Sequence, residues 1–268
     1  MHKIAFLFAA VLSVLAGAAL ASAGPDVRLD PAPIHRLDAE SLQRGARNFV
    51  NYCLTCHSAK YMRYERLTDI GLTAQQIKDN LMFGTDKIGS TMTVAMNPAE
   101  AKSWFGAVPP DLSVEARIRG SDWLYNYFLA FYRDDQTTTG WNNLVFPNVA
   151  MPHVLWQLSG PGKLMETEFE SHEKALAASI AIKGLAKLEP AAGGKWVLKT
   201  VGVDPDAPGS LTPAQYQAFV ADLVNFMEYM GEPTKNKRIS LGIVVLLYLG
   251  LLFVLVYALK RMYWKDVH

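Results

Sequence analysis

Cysteine is almost missing from this sequence, with two in 268 residues. That excludes a disulfide framework, and any zinc or iron–sulfur site built from four thiolates. Excess charge is missing as well. The formal balance is +1 at pH 7, so no nucleic-acid partner is suggested. No internal repeat is found, and long apolar runs are confined to the two ends.

What is there begins with those two cysteines, which share one motif, Cys53-Leu54-Thr55-Cys56-His57. Two thiols separated by two residues and followed at once by histidine are what covalent attachment of c-type haem requires. The thiols add to the haem vinyl groups as thioethers, and the histidine is placed to ligate iron from the proximal side. A thioredoxin-like dithiol shares the Cys-x-x-Cys spacing but follows a β-strand in a βαβ pattern. Here Ala39 to Tyr52 reads as helix, with Leu42, Ala46, Phe49 and Val50 on one side and Asp38 as N-cap. Half of a zinc site would need a second ligand pair at the usual spacing, and the sequence offers none.

The apolar runs bracket an exported body. Ile4 to Leu20 follows His2 and Lys3 and closes on Ala21-Ser22-Ala23, the order of a secretory signal peptide. A first transmembrane helix is the alternative; the short core and small-residue exit speak against it. Ile239 to Leu259 carries no charge and is long enough to cross a ~30 Å hydrocarbon core as a helix in membrane lipid. Lys260, Arg261 and Lys265 follow it, and Tyr257, Tyr263 and Trp264 suit the interfacial belt. Lys235, Lys237 and Arg238 precede it, so orientation rests on the signal peptide. The expected organisation is a signal peptide over 1–23, an exported haem domain over 24–234 and an anchor over 235–268 with a helix at about 239–259. In a bacterial-type inner membrane the domain is then periplasmic and the short tail cytoplasmic.

Within the body, Pro25 to Pro33 reads as an extended lead-in. Thr73 is a candidate cap for a helix through Leu81, and Asn97-Pro98 starts another. Val114 to Arg119 reads as a short helix ended by Gly120, and Ser121 opens the next, with Trp123, Leu124, Tyr127, Phe128 and Phe131 at helical spacing as core. Leu158 to Gly209 is the least readable stretch. It holds an acidic run, Glu166, Glu168, Glu170 and Glu173, offered as a docking patch against the alternative of a solvated helix. Lys195 to Val201 alternates like a strand, which leaves room for a small β-hairpin. Thr212-Pro213 opens a helix through Met230, closed by Gly231.

A c-type iron needs a sixth ligand, and methionine there raises the potential and closes the iron to exogenous ligands. Met62, Met82, Met92, Met96, Met151 and Met165 are candidates, with Met151 favoured because Pro147 and Pro152 stiffen its loop. Spacing alone does not choose among them.

The sequence also resembles the cytochrome c1 family, the haem-bearing subunits of ubiquinol–cytochrome c reductase (cytochrome bc1) complexes. The residues that carry the resemblance are Arg44-Gly45, Cys53 to His57, Pro109-Pro110-Asp111-Leu112-Ser113 with Ala116-Arg117, Met151-Pro152, and the terminal helix ending Val256 to Arg261. By resemblance Cys53 and Cys56 bind one covalent haem c, His57 is the proximal and Met151 the distal iron ligand, and Arg117 lies near a haem propionate. Phe49 and Trp123 depart from the tyrosines some members carry. The implied fold is an all-α class I cytochrome c-like domain with insertions plus one C-terminal transmembrane helix. The implied activity is transfer of single electrons from a Rieske iron–sulfur protein to a soluble c-type cytochrome, beside cytochrome b and in a dimeric complex. No independent catalytic chemistry is expected. Residues 24–231 hold 23 acidic against 19 basic side chains, a mildly acidic body suited to steering a basic acceptor. A free membrane-anchored shuttle shares the haem and anchor without needing a complex. A haem sensor or peroxidase would need an open iron.

Overall fold

The structure, a computed structural model, describes residues 27–182 and 184–265. The expected signal peptide over 1–23 lies outside them. Two compact units divide the chain, residues 1–231 and residues 232–268.

In the first unit, α1 (Ala39–Tyr52) and α8 (Pro213–Gly231) cross in close contact. Leu42, Ala46, Phe49 and Val50 on α1 are buried, as are Leu223, Val224, Phe226 and Met227 on α8. The crossing is close because Gly45 sits in it. A Cβ there would come within 2.1 Å of the Asp222 carbonyl oxygen and 2.6 Å of Phe226 Cβ. Arg44 Nε then reaches Asp222 Oδ2 at 2.6 Å. The Arg44-Gly45 pair is thus one device, a gap that admits the neighbouring helix and an ion pair that registers it.

Short elements connect the two helices: β2 (Ala59–Arg63), a 3₁₀ turn (Tyr64–Ile70), α2 (Ala74–Leu81), β3 (Thr91–Met92), α3 (Pro98–Phe105), α4 (Glu115–Arg119), α5 (Ser121–Leu129), β4 (Phe131–Arg133), β5 (Trp141–Asn143) and α6 (Trp156–Ser159). Their ends follow side-chain chemistry. Asp38 accepts from Ser41 N, Thr73 forms a capping box with Gln76, and Asn97 accepts from Ala99 N ahead of Pro98. Phe131, expected on the helical stripe, instead begins β4, because α5 ends at Leu129 and the chain turns into a β4–β5 hairpin.

An all-α fold does not hold. A four-stranded antiparallel sheet, ordered β1-β7-β8-β6, is formed by Val27–Arg28 (β1), Gly162–Phe169 (β6), Ala186–Pro190 (β7) and Trp196–Val203 (β8), and two-stranded pairs β2-β3 and β4-β5 add to it. Helix α7 (His172–Ala181) covers one face through Ala175 and Ala178, over Leu188 and Leu198. The strand expected near Lys195 belongs to this sheet rather than to a lone hairpin. β6 and β8 pair along their whole length, from Gly162↔Val203 to Phe169↔Trp196, and β7 turns into β8 through Ala192–Gly194. The acidic run is not one solvated helix: Glu166 and Glu168 lie on β6, where Lys199 and Lys195 pair with them at 3.1 and 3.2 Å, Glu170 follows the strand, and Glu173 sits in the first turn of α7. Strand partners offset the charge of Glu166 and Glu168, two of the four glutamates proposed for docking.

In the second unit, α9 (Lys235–Tyr263) rises about 1.5 Å per residue over 29 residues, about 44 Å. An 18-residue window within it has mean hydropathy 2.9 and none of it is buried, so it is long and apolar enough for one span. It overruns the expected 239–259 at both ends. Arg238 pairs with Glu232 at the start, and Lys260 and Arg261 sit in the last turn, where the helix dipole favours cations.

Candidate functional site

The motif begins where α1 stops. Cys53 N still donates to Phe49 O, and then Cys56 N and His57 N both donate back to Cys53 O. This turn directs Cys53, Cys56 and His57 into one cleft whose walls are overwhelmingly apolar. Pro109, Leu112, Val149 and Met151 are among its lining residues. As thiols the two cysteines are not thiolates in waiting: burial and then the charge of Cys56 push Cys53 up to about 12, and burial raises Cys56 too. That is the opposite of an activated redox dithiol.

His57 is oriented by the proline-proline-aspartate block. Its Nδ1 lies 2.8 Å from Pro110 O. A carbonyl only accepts, so Nδ1 carries the hydrogen and Nε2 keeps its lone pair for a metal. Burial lowers the imidazole pKa, partly offset by this bond, which leaves the neutral ring that ligation requires. The block is stitched to the strand after the motif. Leu112 N donates to Ser58 O, Lys60 N to Asp111 Oδ2, and Tyr61 N to Ser113 Oγ. Burial raises the Asp111 carboxyl, but hydrogen bonds from Ser113 and Lys60 outweigh that and hold it below its usual range.

Met151 reaches the same cleft from a loop that asparagines build. Asn143, fully buried, donates through Nδ2 to Tyr127 O at 2.8 Å and accepts from Val145 N and Phe146 N. Asn142 Oδ1 accepts from Asn148 N, whose residue adopts φ +59°. Beyond Pro152, His153 is wedged against Phe131 (4.8 Å, 3°) with Nε2 2.8 Å from Ser159 Oγ. Burial pushes His153 down to about 4, so it packs as a neutral ring. The asparagines were invisible as site residues in a polar, turn-rich stretch. Tyr127 Oη donates to Met151 Sδ at 3.4 Å, and burial first of all keeps that phenol protonated far above its ordinary range.

Among the methionines of the described residues, Met151 and Met227 line the cleft. Met227 is 1 % exposed within the α1–α8 core. Met62 and Met92 are buried elsewhere in the core, and Met165 is on β6. Arg117 is not brought to the cleft: it is exposed, and its Cγ lies against Gly231. Arg119 is the arginine that lines it. Its Nε pairs with Glu115 at 3.0 Å, and its guanidinium covers Trp123 at 4.6 Å. Two residues apart on a helix of 3.6 per turn is roughly the opposite face, which is why only one of them reaches. Trp123 lines the cleft, whereas Phe49 packs on Phe226 at 5.7 Å.

The donor set fits a covalently held haem. Two thiols and a histidine with a free Nε2 share an apolar cleft with a thioether and a cation suited to a carboxylate.

Comparison with known proteins agrees. The model of the Cytochrome C1 family matches residues 31–168 and 210–267, leaving out 169–209, which contain α7, β7 and β8. The chain is 46% identical to the ammonia monooxygenase gamma subunit of Nitrosomonas europaea over the full length of both. It is 43% identical to cytochrome c1 of Allochromatium vinosum, covering 98% of this chain and 99% of that one. Cytochrome c1 of Rhodospirillum rubrum is 27% identical over 87% of this chain and 84% of that one. Since the matched segments hold the haem motif, the Met151 loop and the terminal helix, the chain belongs to the cytochrome c1 family, whose members carry covalently bound c-type haem.

Proposed function

We propose that this chain is the electron-transfer subunit of a quinol–cytochrome c oxidoreductase. In that role it takes single electrons from a Rieske iron–sulfur protein and passes them to a soluble c-type cytochrome, alongside cytochrome b in a dimeric complex. The observation that carries the reading is the convergence of Cys53, Cys56, His57 and Met151 on one apolar cleft. The haem supplies one-electron redox chemistry. Cys53 and Cys56 would tether it, and His57 Nε2, aimed by the Pro110 carbonyl, would be one iron ligand. Met151 would be the second, and a methionine ligand would raise the potential. Arg119, rather than Arg117, lines the cleft and would be the cation available to offset haem carboxylate charge. Val108 and Phe146, both lining the cleft and partly exposed, give the mouth an apolar rim suited to brief contact with redox partners.

The chain is a membrane-anchored subunit in this reading. Residues 1–23 are the signal peptide, residues 24–234 form the periplasmic haem domain, and residues 235–268 are the anchor, with a cytoplasmic C-terminus. The name of the Nitrosomonas relative supports a second reading, an electron-transfer subunit attached to a monooxygenase.

Isolation in mild detergent through a tag after His268, read by reduced-minus-oxidised spectroscopy, tests the proposal. Co-isolation of b-type haem and a Rieske protein is the expected result. A c-type band that stays alone under gentler extraction would favour the free anchored shuttle, and co-isolation of a monooxygenase would favour the second reading. Met151→Leu is expected to lower the potential and admit carbon monoxide to the reduced iron. A native potential and spectrum in that variant, with both lost in Met227→Leu, would move the ligand assignment to Met227.

A further inference from the structure

Trp123 stands where some members of the family have a tyrosine, yet the cleft does not lack a phenol. One turn further along α5, Tyr127 stacks beneath Trp123 with ring centroids 5.0 Å apart and planes 12° from parallel. Phe128 and Phe131 meet its ring edge-on at 5.4 and 5.1 Å. Held on these sides, the ring presents its hydroxyl to Met151 Sδ at 3.4 Å. The same residue's carbonyl is bonded by Asn143 Nδ2, where the loop toward Met151 departs. Helix and loop are thus joined twice at Tyr127, once through its backbone and once through its side chain.

A thioether sulfur has two lone pairs. With one directed to iron, the other is free to accept an O–H. A donor on that second pair draws electron density from the sulfur and weakens its donation, which matters most to the electron-poor oxidised iron. The reduced state is favoured, and the sulfur is restrained from swinging away.

We infer that Tyr127 is a positioning residue for the distal ligand, its hydroxyl holding the Met151 sulfur in place and raising the reduction potential. The inference rests on the reading of Met151 as ligand. It assigns to Tyr127 a role that Trp123, lacking a hydroxyl, does not fill.

The test is Tyr127→Phe in the haem-loaded full-length protein in detergent, since phenylalanine keeps the stack and removes one oxygen. Tyr125→Phe, a buried neighbour absent from the cleft lining, serves as control. Midpoint potential, the near-infrared sulfur-to-iron charge-transfer band and thermal unfolding are read together. At the wild-type midpoint, Tyr127→Phe is expected to raise the oxidised-to-reduced ratio about threefold to tenfold, a fall of about 30 to 60 mV for one electron. The band should shift and the unfolding midpoint should stay near wild type, with Tyr125→Phe unchanged throughout. An unmoved potential and band in Tyr127→Phe would overturn the inference, as would equal shifts in both variants. Absence of the charge-transfer band from the wild-type protein would instead overturn the Met151 reading on which it rests.

Discussion

Asn143 offers the most direct trial of how the distal loop is built. Its side chain is fully buried and carries three hydrogen bonds, one to Tyr127 O and two from Val145 N and Phe146 N. Asn143→Ala removes all three and leaves the helix-end carbonyl of Tyr127 with only its 3.3 Å bond from Ala130 N. At about 1 kcal/mol net per bond the loss is about 3 kcal/mol. For a domain of this size each kcal/mol moves the unfolding midpoint by about 2–4 °C, so a fall of about 6 to 12 °C is expected. Thermal unfolding of the haem-loaded protein in mild detergent measures it, and carbon monoxide binding to the reduced protein reports whether Met151 has been freed. Asn143→Asp is the informative companion. It keeps both acceptor bonds but sets a carboxylate against the Tyr127 carbonyl, so it should destabilise while retaining the loop's shape. A shift of under 2 °C in Asn143→Ala would show that the loop is held by packing alone, and the reasoning from hydrogen bonds would fail.

Three further outcomes follow from the geometry. Gly45→Ala should destabilise by about 3 kcal/mol, because its methyl meets a backbone carbonyl that can retreat only by parting α1 from α8, whereas Gly84→Ala, with nothing within 4 Å, should leave the melt unchanged. Glu189 is held below its usual range by hydrogen bonds from Lys187 and then Lys199. A depressed carboxylate contributes stability above its unfolded pKa and loses it as pH falls through the folded value. Protection of the β7 and β8 amides, taken relative to their intrinsic exchange rate at each pH, should therefore fall below about pH 4, and Lys199→Met should flatten that dependence. Arg119→Ala should lower the midpoint potential by removing a cation from the cleft, while Arg117→Ala should leave it alone; spectroelectrochemical titration of both decides between the two arginines.

Local rules made part of this molecule readable from its residues. Leu42, Ala46, Phe49 and Val50 announce α1 because one apolar face is needed to meet α8, and Asp38, Thr73 and Asn97 mark helix starts through bonds made within three residues. The haem motif was legible for the same reason, since Cys53, Cys56 and His57 lie within one turn. The sheet was not. β6 and β8 pair across an intervening helix and strand, and the salt-bridged face of β6 carries glutamates that, read alone, resemble a helix surface. Arg119 was missed because choosing between it and Arg117 depends on which face of a five-residue helix turns inward, and the packing of Ala116 settles that only in three dimensions. Nor does any local signal show that Pro110 supplies the carbonyl for His57, since the two lie 53 residues apart.

The sheet has a consequence for how this chain tolerates change in length. Gly162 and Val203 are ladder partners, so the backbone leaves the haem core and returns to it side by side. Whatever is threaded between those points adds loop-closure entropy that grows only with the logarithm of its length. Lineages can accordingly enlarge or trim this region without moving the cysteines, the histidine or the methionine. Trimming has one limit: losing β7 would strip β1 of its strand partner among the described residues and loosen the lead-in at Val27. Extension has none of that kind. A reporter or affinity domain spliced at Gly193, where nothing lies within 4 Å of an added Cβ, should ride on the protein while electrons pass through the core undisturbed.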